Sequence, residues 1–174
     1  RKHQSHVAQL LLTLDDLGAR QRYLHARATL DTLISWGVIP IINENDTVAV
    51  EEIQFGDNDQ LAVLAADLVS ADVLVILSDV EGLYDQDPRL FPDAHLVEEI
   101  DEVSESIIDA MSVKPGDVGT GGMKSKLIAA KKAMDIGLPL FLASGKIPDV
   151  LSRLQSGEKV GSLFKPKDKK WTGK

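Results

Sequence analysis

Val73-Leu74-Val75-Ile76-Leu77, followed at once by Ser78-Asp79, decides the fold class. Five apolar residues in succession, without the alternation of a half-exposed strand, are the pattern of a strand covered on both faces. Just upstream, Leu61 to Val69 is Ala/Leu-rich and predicts a helix. Further upstream, Tyr23, Ala26, Leu30, Leu33 and Ile34 recur at helical spacing up to Gly37, a C-cap candidate. Val38-Ile39-Pro40-Ile41-Ile42 then predicts a short buried strand made less regular by its Pro. Downstream, Ser125 to Met134 predicts a helix stopped by Gly137, Leu138 to Ala143 a strand, and Asp149 to Leu154 a further short helix. Strands alternating with helices at this spacing imply an α/β fold with a mostly parallel sheet sandwiched by helices.

The composition excludes several classes of function. The chain has 174 residues, 44% hydrophobic and 26% charged, with no Cys. Disulfides, thiolate zinc sites and cysteine nucleophiles are therefore absent, which suits a reducing cytosol. No apolar run approaches the ~20 residues that a membrane span needs. The net charge of −8 makes a poor general binder of nucleic-acid backbone. The charge is uneven: from Lys165 to Lys174 five Lys and one Asp give +4, which leaves −12 for residues 1–164. Such a basic tail reads as a solvated end or as a linker into something that touches nucleic acid. The opening Arg1-Lys2-His3-Gln4-Ser5-His6 has neither an initiator Met nor an apolar or signal-peptide pattern, and suggests a cut.

In open parallel sheets ligands bind at the carboxyl ends of the strands. Those ends are polar here: Asn43-Glu44-Asn45-Asp46-Thr47, Ser78-Asp79 with Glu81-Gly82-Leu83-Tyr84, and Ser144-Gly145. Each cluster alone could be an ordinary turn, but their recurrence at equivalent positions points to a site. Phe55-Gly56-Asp57-Asn58-Asp59 directly precedes the helix at Leu61. Asn58 or Asp59 could simply cap that helix; two carboxylates flanking an amide could also hold an ammonium group, position a Lys or bind a metal. Nothing in the spacing favours a hydrolytic acid–base pair. Val118-Gly119-Thr120-Gly121-Gly122-Met123-Lys124-Ser125-Lys126 runs straight into a helix. Glycines turn successive N–H groups toward an anion, the helix N-terminus adds positive potential, and Lys126 lies close enough to neutralise a phosphate. The order is neither that of a Walker loop nor GxGxxG. Asp85 and Asp87, in Tyr84-Asp85-Gln86-Asp87-Pro88, fit a simple loop better than a metal site, and the four His have no ligand spacing.

Asn43-Glu44-Asn45-Asp46, Gly56-Asp57-Asn58-Asp59, Ser78-Asp79-Val80-Glu81-Gly82-Leu83-Tyr84, Asp87-Pro88-Arg89 and Thr120 through Lys126 resemble, in order and spacing, the glutamate 5-kinases of the amino acid kinase family. The resemblance covers about Val7 to Phe164. It implies ATP-dependent phosphorylation of the γ-carboxylate of L-glutamate, the first step of proline biosynthesis, with proline as feedback inhibitor. It places Asp46 and Asn58 on the α-amino and carboxylate ends of glutamate, with Asp57 lining the same pocket. Asp59 is implied as the residue that organises the catalytic lysines, and Lys126 as the lysine that stabilises the transferring phosphoryl group. Ser78 and Asp79 match the family's Thr-Asp nucleotide contact, with the hydroxyl kept. Thr120, Gly121, Gly122, Met123, Lys124, Ser125 and Lys126 match its nucleotide loop. His25 stands where the family usually has Asn, a departure that touches no catalytic role. Magnesium would be held chiefly by the ATP phosphates and water, with no protein metal site.

The same resemblance implies a division of the chain. Residues 1–164 would be the C-terminal portion of an amino acid kinase domain. The family's N-terminal strand and glycine turn, with a second catalytic Lys, and its Gly-Ser substrate segment have no counterpart before Val7. Residues 165–174 would be a basic linker, in the position from which bacterial members continue into a PUA domain; nucleic acid would be a partner only through such a domain. The resemblance further implies a cytoplasmic homo-oligomer, dimer or tetramer, with no membrane partner, and poor activity from this segment alone. The alternative from another class is a non-catalytic module of the same fold that senses glutamate or proline.

Overall fold

The computed structural model describes residues 5–48, 58–110 and 122–167. Strand β1 (His6–Leu12) leads through α1 (Leu14–Gly18) and α2 (Arg20–Ser35) to β2 (Val38–Glu44), which pairs parallel to β1 in the register His6↔Val38 to Leu12↔Glu44. The crossover starts on a capping box. Thr13 Oγ1 accepts from the Asp16 N–H at 3.3 Å while the Asp16 carboxylate accepts from the Thr13 N–H at 2.8 Å, so two orphan donors are satisfied. Helix α2 ends at Ser35, and Gly37 follows with φ +70°. Pro40 is tolerated in β2 because, among the described residues, this strand has a paired neighbour on one side only.

Helix α3 (Asn58–Leu68) feeds β3 (Leu74–Ser78). After the loop that follows come β4 (Glu99–Ile100), α4 (Glu105–Ala110), α5 (Met123–Asp135), β5 (Leu140–Ser144), α6 (Val150–Gln155) and β6 (Ser162–Phe164). The second sheet has the order β3-β5-β6-β4, parallel throughout except for the antiparallel step from β5 to β6. The α/β class and the mostly parallel sheets are as the apolar runs predicted. Five elements were not anticipated: β1, α1, β4, α4 and β6.

Helix α5 covers the second sheet. Its Leu127, Ala130, Ala133 and Met134 are fully buried and pack with Leu140, Leu142 and Phe164. Each large side chain there contributes about 2 kcal/mol of transfer free energy. Leu12, Leu30 and Leu68 form a separate cluster under β1 and β2. Helix α3 serves both clusters, with Val63 and Ala66 in the larger and Leu68 in the smaller. Among the described residues nothing covers the other face of the β1–β2 pair: Val7, Leu11, Ile39 and Ile41 are 44–59% exposed.

Candidate active site

The first turns of α3 and α5 meet. Helix α5 begins at Met123, with Gly122 as N-cap in an extended conformation; a glycine has no side chain to cap the first N–H groups, and among the described residues no other side chain caps them. Lys126, closing the first turn, extends its Nζ to Asp59 Oδ2 at 3.0 Å. The two side chains are only 14% and 13% exposed. A pair so withdrawn from water interacts more strongly than a surface pair and depends on its partner being present. Ser125, itself buried, donates its hydroxyl to the same carboxylate oxygen at 3.4 Å. Nearly two turns further along α5, Lys132 Nζ donates to Gln60 Oε1 at 2.6 Å, a second tie between the helices. Asp59 is therefore no helix cap, as one reading of the sequence allowed. It lies in the first helical turn of α3, with its carboxylate on Lys126.

The end of β3 lies on the same side. Ser78 donates its hydroxyl to Asp79 Oδ1 at 3.1 Å. That bond first, then the Asp79 backbone N–H, and then the charges of Lys146 and Lys126 hold the Asp79 carboxyl below its usual range, against the opposing effect of burial. The influence of Lys126 ties the α5 turn to the β3 end. β5 ends beside β3, with Ser144 paired to Ser78 and the Gly145 N–H donating to Ser78 O at 2.8 Å. Lys146 escaped the sequence reading, although a cation following Ser144-Gly145 at a strand's carboxyl end was a usable signal.

Between the two sheets runs a cleft of about 560 Å³, floored by α3. Asn43 and Asn58 are its polar residues, among Pro40, Ile42, Leu61 and Leu74. Asn43 belongs to β2, which extends two residues beyond the predicted strand, and Asn58 opens the described part of α3. Asp46 lies past the end of β2, exposed, and makes no hydrogen bond or ion pair among the described residues. Gly122, Met123 and Lys124 open α5. Asp57, Thr120 and Gly121 lie outside the described residues.

The loop after β3 uses its carboxylates locally, as its turn chemistry predicted. Asp87 accepts from the Arg89 N–H at 3.0 Å and pairs with its guanidinium, and Asp85 accepts from the His95 N–H at 2.8 Å. Among the described residues, no group of three or more His, Cys, Asp or Glu is placed to hold a metal, and no helix is long and apolar enough to cross a membrane.

A basic group at a helix N-terminus, held by a carboxylate from a second helix beside the ends of parallel strands, suits transfer of a phosphoryl group. The chain belongs to the amino acid kinase family, whose profile matches residues 1–144. Among curated proteins it is 51% identical over 168 residues to the glutamate 5-kinase of Meiothermus ruber, covering 97% of this chain and 45% of that protein. It is 52% identical over 160 residues to the glutamate 5-kinase of Geobacter metallireducens, covering 92% of this chain and 43% of that protein. The chain thus spans under half the length of these relatives. Among solved structures, the UMP kinase of Bacillus anthracis matches with a TM-score of 0.59 at 18% identity, over 92% of this chain and 58% of that one. T. acidophilum isopentenyl phosphate kinase matches with a TM-score of 0.57 at 18% identity, over 93% and 61%. Those two likenesses speak for the fold alone.

Proposed function

We propose that this chain is the later part of the kinase domain of a glutamate 5-kinase, which transfers the γ-phosphoryl group of ATP to the γ-carboxylate of L-glutamate. The observation that carries the reading is the Lys126–Asp59 pair at the joined N-termini of α5 and α3. The identity of about half the residues to the named kinases supports the choice of substrate. A carboxylate acceptor is already a nucleophile at neutral pH, so the protein needs no general base. Its task is to align the reactants and to place positive charge where the phosphoryl charge spreads. Lys126 would supply that charge, with Asp59 fixing its direction. The open N–H groups of α5 would take phosphate oxygens, and Ser78 and Asp79 would contact the nucleotide. Asp46 and Asn58 would hold the amino and carboxylate ends of glutamate, with Asp57 lining the same pocket. Magnesium, which neutralises phosphate charge, would ride on the ATP phosphates and water.

In this reading residues 1–164 are a kinase-domain portion and 165–174 a basic linker, and the site is completed by the segment that the relatives carry in addition. The cleft between the sheets and the bare β1–β2 face are the surfaces such a segment would fill. Proline inhibition, a cytoplasmic location and a homo-oligomeric assembly belong to the same proposal and rest on the resemblance.

The test is the complete protein incubated with ATP, L-glutamate and hydroxylamine, which traps an acyl phosphate as hydroxamate. Hydroxamate is expected with L-glutamate and not with aspartate or other acidic acceptors. Its absence with every acceptor would overturn the kinase reading in favour of a binding module, and preference for another acceptor would reassign the substrate. Lys126→Met is expected to lower the rate by at least about 100-fold, the scale of losing one electrostatic contact to a transition state.

A further inference from the structure

Lys146 differs from most of the described lysines. Lys131, Lys159, Lys165 and Lys167 each hold a carboxylate, whereas Lys146 makes no salt bridge among the described residues. Its backbone is nevertheless fixed. Ser144 is paired to Ser78, the Gly145 N–H donates to Ser78 O at 2.8 Å, and the Lys146 N–H donates to Ser144 Oγ at 3.3 Å. The turn after β5 is thereby stitched to the end of β3, and the exposed Lys146 ammonium acts on Asp79 more strongly than Lys126 does. In a molecule of net charge −8, a polyanionic ligand needs cations gathered locally, and Lys126 is already shared with Asp59.

We propose that Lys146 is a nucleotide-contacting residue whose ammonium takes charge from the polyphosphate of ATP, beside Ser78 and Asp79. This rests on the reading of the β3 end and the α5 N-terminus as the nucleotide site. A flexible, exposed lysine suits the role as a point charge reaching a phosphate oxygen.

The test is nucleotide binding and steady-state kinetics on the complete protein, with Lys146→Met and Lys146→Arg. Lys146→Met should weaken ATP and ADP by about tenfold, a single charge-assisted contact, weaken AMP less and leave adenosine bound as before. The KM for ATP should rise by a larger factor than kcat falls, and Lys146→Arg should recover most of the affinity. Unchanged binding of ATP and ADP by Lys146→Met would overturn the proposal, as would an equal loss for adenosine, which would mark a packing role. Failure of the underlying nucleotide reading shows differently, because the unaltered protein would then bind no ATP.

Discussion

Lys126 and Asp59 each keep the other's charge tolerable in a place that water barely reaches, so neither can be changed in isolation. Removing the carboxylate leaves a part-buried ammonium with reduced compensation. Asp59→Asn is therefore expected to destabilise the protein by about 2 kcal/mol, from the cost of breaking a withdrawn pair discounted for its residual exposure. It should lower kcat as well, since Lys126 would lose its direction. The Asp59→Asn, Lys126→Met double variant should be less destabilised than the sum of the singles, with a coupling of about 1–2 kcal/mol in urea unfolding. Strict additivity would mean that the pair contributes nothing. At the neighbouring strand end, Asp79 titrates below its ordinary value near 3.8, chiefly through the Ser78 hydroxyl. A depressed carboxyl stabilises the fold above the unfolded pKa, and that contribution is lost as pH falls through the folded value. Ser78→Ala should raise the Asp79 midpoint toward 3.8, read by NMR on the carboxyl carbon. A midpoint that stays depressed would transfer the effect to the Asp79 backbone N–H and the two lysines.

At the scale of elements, β6 depends on one backbone approach. Gly161 has φ +74°, and a Cβ there would stand 2.2 Å from the Leu142 carbonyl oxygen, inside the antiparallel step from β5. Gly157 has φ +83° with nothing within 4 Å. Gly157→Ala should therefore cost about 1 kcal/mol, from the left-handed conformation alone. Gly161→Ala adds overpacking and should cost about 3 kcal/mol or more. Urea midpoints separate the two, and equal losses would contradict the close approach. The same strand shows where sequence reading stops. α2, α3, α5, β2, β3 and β5 were legible because each carries its own apolar period or run. β4 and β6, of two and three residues, exist only through pairing with each other and with β5, so no local pattern announces them. β1 was overlooked because its apolar residues follow a polar start and are interrupted by Gln9. In the candidate site the residue types and their order could be read. That Asp59 faces Lys126 was implied by the family resemblance and not by any local pattern, because it depends on how α3 packs on α5; a carboxylate in a first helical turn fits a cap equally well. The strand end before Lys146 was a usable signal, but that it lies beside Ser78 follows from the pairing of β5 with β3.

At the scale of the molecule, two sheets share one helix, and the smaller sheet leaves an apolar face open. In the proposed kinase, the segment that the relatives carry in addition would cover that face. Ile41, 53% exposed in this chain, would then be buried in the complete protein. Ile41→Asp in the complete protein should accordingly cost about 2–3 kcal/mol, the penalty of an unpartnered charge placed in an apolar contact. If the face stays bare, the change should remain within about 0.5 kcal/mol. Denaturant unfolding of the two proteins decides between these outcomes.

The 67 residues that separate Asp59 from Lys126 also set a clock. Closing a chain segment of that length is entropically costly, and no fragment that ends before α5 contains the pair. On a ribosome adding about 5–20 residues per second, Asp59 waits roughly 3–13 s for Lys126 to be made. Throughout that interval the Asp59 carboxylate lacks this ammonium while the larger core is unfinished. The cation that neutralises it arrives on the helix that closes the larger sheet, so chemical competence and the completion of packing fall at the same moment of synthesis.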